Sequence, residues 1–407
     1  MTSTAWRDNV LGYIRSLAVP GEAGAFASVR GKPATTYGTC YANLTRHYLT
    51  GELPGQVSVD FLRRQQLAES GWFSGPELSD RSASLSPRHD TAHLRHHLTC
   101  TVLPVLQLGG VRPDHTLHEA RAYLDPDRLR AWLDRVNLAD AWFEGNNLLF
   151  VGQLLIYFME AGEPAAARAI EIWFDWLDRT VDRATGLWGT DRGEHLAGAV
   201  FGGYHQLLVY YHQQHPIISP DRLIDGVLAL QHHDGMFGTT RGGGACEDVD
   251  CVDILVNLYK RHDHRRADIR DTLRRCATQI LALQLPDGGF PYKRAKRYIH
   301  MGMPLTDTPR NVSGMFPTWF RVHTLALIAQ VIELDELKGR FWFTPALSMG
   351  WHDASLPAPR CDGTASAEAA SDRARARRRY VRELLATQYH RFNHHVVRRL
   401  RPSRSRE

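Results

Sequence analysis

A nine-residue turn occurs twice in this chain. "ALQHHDGMF" at Ala229–Phe237 and "ALQLPDGGF" at Ala282–Phe290 share Ala-Leu-Gln-x-x-Asp-Gly-x-Phe, 53 residues apart. "DRATGLWG" (Asp182–Gly189) sets Gly186 and Trp188 in the same kind of turn, and "QQLAESGWFSG" (Gln65–Gly75) reads as a degenerate earlier copy. In the two full copies Asp-Gly turns the chain, because glycine accepts positive φ. The aromatic residue then packs back on the preceding helix, while the Gln side chain bonds a neighbouring backbone. A period near 50 residues fits two helices and two connections, so each repeat predicts one helical hairpin. Seven such units would nearly fill the chain to residue 350.

Apolar residues at three- and four-residue spacing predict helices throughout. The segments are Thr36–Leu49, Val59–Glu69, Thr91–Leu106, Ala139–Ala161, Ala165–Val181, Leu196–His212, Pro220–Gln231, Asp248–Arg261, Ile269–Leu285 and Pro317–Glu333. Alternating strands are few. Stacked hairpins either open into a solenoid or close into a ring. The last clear helix, "TWFRVHTLALIAQVIEL", is apolar with no polar capping face, which favours closure. The expected fold is therefore all-α: a ring of helical hairpins over residues 1–352, a small, polar, Pro-containing linker at 353–372, and a basic helical tail at 373–407.

Charge is unevenly placed. The chain has a formal charge of +5, but from Arg373 to Glu407 twelve arginines face only Glu383 and Glu407. The tail thus holds about +10 and the rest about −5. The body is not an expected nucleic-acid binder, whereas the tail could meet an acidic surface. The N-terminus has no signal-peptide pattern, no apolar run reaches the length of a membrane span, and six cysteines are scattered. Together these favour a cytoplasmic protein with reduced thiols.

The segments Gln231-x-x-Asp234-Gly235-x-Phe237 and Gln284-x-x-Asp287-Gly288-x-Phe290 resemble the Gln/Trp repeats of squalene and terpenoid cyclases, with Phe in place of Trp. Protein prenyltransferase β subunits share the α/α-toroid of that superfamily. The resemblance is clear over about residues 180–335 and weaker over 36–180. It implies a toroid. It does not settle the chemistry, because one fold hosts many reactions.

A second feature bears on chemistry. "CEDVDCVDIL" (Cys246–Leu255) opens a helix with Glu247, Asp248, Asp250 and Asp253. Proton-initiated cyclases carry Asp-x-Asp-Asp, and Asp248-Val249-Asp250 matches its first three positions, with Cys251 in the fourth. The resemblance implies that Asp250 donates the proton. Asp253, one helical turn on, can stand in for the missing acid. Crowded, buried carboxylates hold protons that isolated ones release. A plain alternative is capping: acids in a first turn suit the helix dipole, with Asp248 as N-cap.

The leading expectation is a terpenoid-cyclase-like isomerase or lyase acting on an isoprenoid or isoprenoid-bearing small molecule, without a cofactor. Asp250 is its acid, tuned by Asp248 and Asp253. Tyr37, Tyr41, Trp142, Tyr204, Tyr211, Trp319 and Phe320 would guide the cation through their ring faces. Arg241 in "GTTRGGG", with Lys293, Arg294, Lys296 and Arg297, would clamp a diphosphate.

Three alternatives stand beside it. A prenyltransferase-like enzyme would hold zinc or magnesium through Asp248 or Asp250, Cys251 and His323. A uronate polysaccharide lyase or epimerase would use Asn147, His205 and Tyr211. A non-catalytic scaffold would use the ring to bind a partner.

Overall fold

The computed structural model describes residues 4–78 and 89–358. Contacts divide the chain between Pro359 and Arg360. The basic tail and the linker beyond residue 358 lie outside the described residues. The first part is mostly helical, with twelve α-helices among the described residues and only two two-stranded hairpins, Phe26–Ala27 with Ala34–Thr35 and Val181–Asp182 with Leu187–Trp188.

The helices fall into two sets. α2 (Thr36–Thr50), α4 (Thr91–Leu108), α6 (Ala141–Glu160), α8 (Leu196–His212), α10 (Ala245–Arg261) and α12 (Met315–Ile328) are buried along most of their length. Each packs on the next, and α12 packs on α2, so the contacts run around a closed circuit. The second set has one buried face and one wet face. It comprises α1 (Ala5–Ser16), α3 (Gln56–Arg63), α5 (Pro126–Leu133), α7 (Pro164–Thr180), α9 (Pro220–Ala229) and α11 (Arg266–Leu281). α7 packs on α6, and α11 packs on both α10 and α12.

Among the described residues the circuit has six members, where the period suggested seven. Inner helices start every 49–55 residues until a long connection, residues 291–314, delays α12. α1 and α5 were not among the helices read from the periodicity. α1 is stitched to the far end of the chain: Trp6 Nε1 donates to the Glu336 carbonyl at 2.7 Å, and Arg7 Nη1 to that of Arg340 at 3.1 Å.

The repeated turns are built alike. Gln231 Nε2 donates to the carbonyls of Gly235 and Thr272, both at 2.8 Å; Gln284 Nε2 donates to those of Gly288 and Trp6, both at 2.9 Å. Asp234 and Asp287 accept from the backbone two residues on. The degenerate copy follows suit, with Gln66 Nε2 on Gly71 and His115. Gly71, Gly235 and Gly288 all have φ between 82° and 91°.

A further regularity links turn to inner helix. The amides of four turn aromatics donate to a side chain on the helix that follows: Phe26 to Thr39, Phe73 to Thr99, Phe237 to Asp248 and Phe290 to Thr318. Thr39, Asp248 and Thr318 are each the fourth residue of their helix. Asp248 therefore occupies a position where two other repeats hold threonine.

Candidate functional site

α10 begins at Ala245, three residues earlier than its apolar pattern indicates. Gly244 is the N-cap, and Glu247 completes the cap by accepting from the Gly244 amide at 2.6 Å. Asp248 is thus not the N-cap. Its two oxygens take the Phe237 amide, at 2.7 Å, and the Arg321 guanidinium of α12. Both members of that ion pair are fully buried. Burial raises the Asp248 carboxyl to about 6, and the charge of Arg321 resists the rise.

One turn into the helix lies Asp250, 1% exposed, whose Oδ2 has no hydrogen-bond partner among the described residues. Burial first, then the charges of Glu247, Asp253 and Asp248, hold this carboxyl well above the usual carboxylate range. Asp253 is also buried. Its Oδ1 accepts from Asn257 Nδ2 at 3.1 Å and its Oδ2 has no partner. Burial lifts it to about 8 against the opposing effects of Asn257 and Arg261. Burial thus shifts both carboxyls toward their protonated form, and for Asp253 it outweighs the opposing Arg261 charge.

Asp250 stands two residues beyond the turn-binding position. The same step from Thr39 leads to Tyr41 and from Thr318 to Phe320. Tyr41 stacks on Trp319 at 4.6 Å and on Tyr37 at 5.7 Å; Phe320 packs on Phe316 at 4.8 Å. Tyr204 on α8 is buried, and the charges of Asp253 and Asp250 add to the burial that raises its hydroxyl. Tyr211, raised by burial and Asp253, has its ring centre 5.0 Å from the Arg261 guanidinium, and its hydroxyl has no partner among the described residues. The two acids thus lie near buried tyrosines of α8: Tyr204 feels both, and Tyr211 feels Asp253.

Sequence reasoning missed a chain of rings that starts at Cys246. Cys246 Sγ and Tyr292 Oη lie 2.9 Å apart, Tyr292 stacks on Tyr298 at 3.8 Å, and Tyr298 Oη lies 3.0 Å from His300 Nδ1. His300, pushed down to about 3 by burial and then by the charges of His89 and His93, packs on Phe316 at 3.9 Å and meets the edge of Tyr37. Tyr37 Oη is 2.6 Å from His97 Nδ1. Tyr292, Tyr298 and His300 sit in an irregular connection with no period to betray them. The segment Phe341–Trp351 was missed too: Tyr204 Oη donates to the Met349 carbonyl at 2.8 Å, and Tyr48 Oη to that of Gly350.

Other expected residues lie elsewhere or are engaged. Asn147 bonds His93 and Glu144. His205 Nδ1 donates to the Phe201 carbonyl at 2.7 Å. Trp142, half-buried, packs on Phe201. Arg241 is exposed. Lys293 reaches Thr240, Arg294 the Ala282 carbonyl, and Arg297 pairs with Asp307, so these cations serve local structure.

The metal set is corrected: no three His, Cys, Asp or Glu side chains among the described residues form a group able to hold an ion. Asp248 is spent on Arg321. Cys251 is buried with its thiol pushed well up, and His323 is pushed down to about 3 by burial with both ring nitrogens unpartnered. The five cysteines among the described residues are free thiols, and no described helix is long and apolar enough to cross a membrane. No protein-family model matches the chain, and no curated protein matches it.

Proposed function

We propose that residues 1–352 are an α/α-toroid enzyme of terpenoid-cyclase type, working in the cytoplasm on an isoprenoid or isoprenoid-bearing small molecule. Asp250 starts the reaction by protonating a carbon–carbon double bond or epoxide. The observation that carries this reading is the Asp250 carboxyl itself: buried, raised well above the usual carboxylate range, and left with one oxygen unpartnered among the described residues near the buried Tyr204. The closed circuit of six helices supports the toroid.

The chemistry follows from the surroundings. A neutral carboxylic acid in a dry site keeps its proton until a basic group or π-bond is pressed against it. The anion left behind is then stabilised by the carbocation it creates, since water is excluded. Burial first, and then the charge of Glu247, raise Asp250. Tyr41, Tyr204, Trp319, Phe320 and Tyr37 offer ring faces to the cation. Asp248 also ties α10 to the turn before it and to α12, which fixes where Asp250 points.

The test is turnover in deuterated water by the full chain, offered a panel of linear prenyl diphosphates, prenyl alcohols, squalene and its epoxide. A product with one deuterium at the protonated carbon is expected, and Asp250→Asn should lose it by at least about a thousandfold. Labelled product at the wild-type rate from Asp250→Asn would refute the acid assignment. The packed aromatic interior also favours a second reading, a scaffold without turnover. Stoichiometric binding of a prenyl compound with no product would support it.

A further inference from the structure

A cavity of about 280 Å³ opens away from the acids, between α4, α5, α6 and the short 3₁₀ turn Ala120–Leu124. Its polar wall is Asp90, His93, His96 and Asn147; its apolar wall includes Tyr123, Trp132 and Phe143. The hydrogen bonds of this wall fix what it can offer a ligand.

Glu144 is a carboxylate and only accepts, so the Asn147 group 3.0 Å from Glu144 Oε2 is the amide nitrogen. The Asn147 oxygen then faces His93 Nδ1 at 2.9 Å and must receive a proton from it. His93 is thereby locked in the tautomer that leaves a lone pair on Nε2. That atom is buried, in a residue 7% exposed, and has no partner among the described residues. Burial, more than any neighbour, pushes His93 down to about 4, so it stays uncharged at neutral pH.

The same logic applies to His96. Its Nδ1 donates to the Ala92 carbonyl at 2.8 Å, so its Nε2 accepts from the Tyr123 hydroxyl 3.1 Å away, which leaves oxygen lone pairs on Tyr123. Asp90 caps α4 through Oδ1 and adds a carboxylate at the exposed mouth. His93 Nε2, Tyr123 Oη and Asp90 are thus all acceptors. A ligand completing this wall must donate. The positive end of α4 opposes a cation here, but it amounts to about half a charge and Asp90 supplies a full opposite one. Aromatic faces favour a cation further.

We propose that this cavity binds a small organic cation, a primary ammonium on a flat apolar body. The ammonium bonds His93 Nε2 beside Asp90, and the body lies against Phe143 and Trp132. The volume suits a single ring with a short arm. This site is separate from the proposed acid and does not depend on it.

Isothermal titration of the full chain with three probes of one shape, benzylamine, benzyl alcohol and benzoate, tests the proposal. Benzylamine should bind one to one, at least about tenfold tighter than the alcohol, with benzoate weakest. Asp90→Asn keeps a capping side chain and hence the fold, which thermal unfolding verifies; it should weaken benzylamine at least about fivefold. His93→Phe, if folded, should abolish the preference for the amine. The proposal fails if benzylamine does not bind, if the alcohol or benzoate binds as well, or if folded Asp90→Asn binds the amine as tightly as the wild type.

Discussion

Asp248 and Arg321, 73 residues apart in sequence, form a fully buried ion pair that joins α10 to α12. Arg321 also donates to the Tyr292 carbonyl at 2.9 Å. Removing one member strands the other charge without water. Asp248→Thr, which installs the residue that two other repeats use here, should destabilise the fold by about 3–5 kcal/mol in denaturant unfolding. Asp248→Thr with Arg321→Met should recover most of that loss. Equal losses in the single and double variants would show that the pair is not the source.

Stability should fall as pH rises from about 6.5 to 8. Asp253 sits at about 8 when folded, and Asp250 well above its usual range, while in the unfolded chain both ionise near 4. Between those values the folded state binds more protons, so raising the pH favours unfolding, by at most about 1.4 kcal/mol per unit for each carboxyl. The buried histidines act with the opposite sign. His93, His205, His300 and His323 are pushed down to about 3–4, so their contribution is complete above 6.5 and lost on acidification. Above 8, Lys260, lowered to about 8, begins to oppose the trend. Denaturant titrations at a series of pH values should show the decline, and Asp253→Asn should make it shallower.

The glutamine of each repeated turn feeds two carbonyls, so replacing it leaves both without a donor. Gln284→Leu should destabilise by about 1–3 kcal/mol. Because one of its acceptors is the Trp6 carbonyl, the loss should be read first in faster amide exchange along α1. Gln231→Leu should cost a similar amount without touching α1, since its second acceptor is Thr272.

The two turn glycines should differ when mutated. Both have strongly positive φ, near 90°, so Ala is strained at either. At Gly288 the added carbon would also sit 2.1 Å from the Asn9 carbonyl oxygen, whereas at Gly235 the nearest atom is 3.1 Å away. Gly288→Ala should therefore lower the melting temperature clearly more than Gly235→Ala in parallel scans.

The repeated turn was legible in the chain because its chemistry is local. Gln, Asp, Gly and the aromatic act within a few residues of each other, and the helix periods on either side are short-range too. That much gave an all-α protein of helical hairpins and located α2, α4, α6, α8, α10 and α12 to within a few residues.

Partners were set by distant groups. The start of α10 is local, since Glu247 reaches back three residues to Gly244, but the number of inner helices depends on where α12 meets α2. The acids show the limit most clearly. Sequence placed Asp248, Asp250 and Asp253 on one helix but could not distribute their roles. Arg321 lies on another helix, and its charge makes Asp248 an anchor. Burial without a paired guanidinium raises Asp250 and Asp253 instead. A carboxyl's ionisation is decided by what surrounds it in space, and only the folded chain brings those surroundings together.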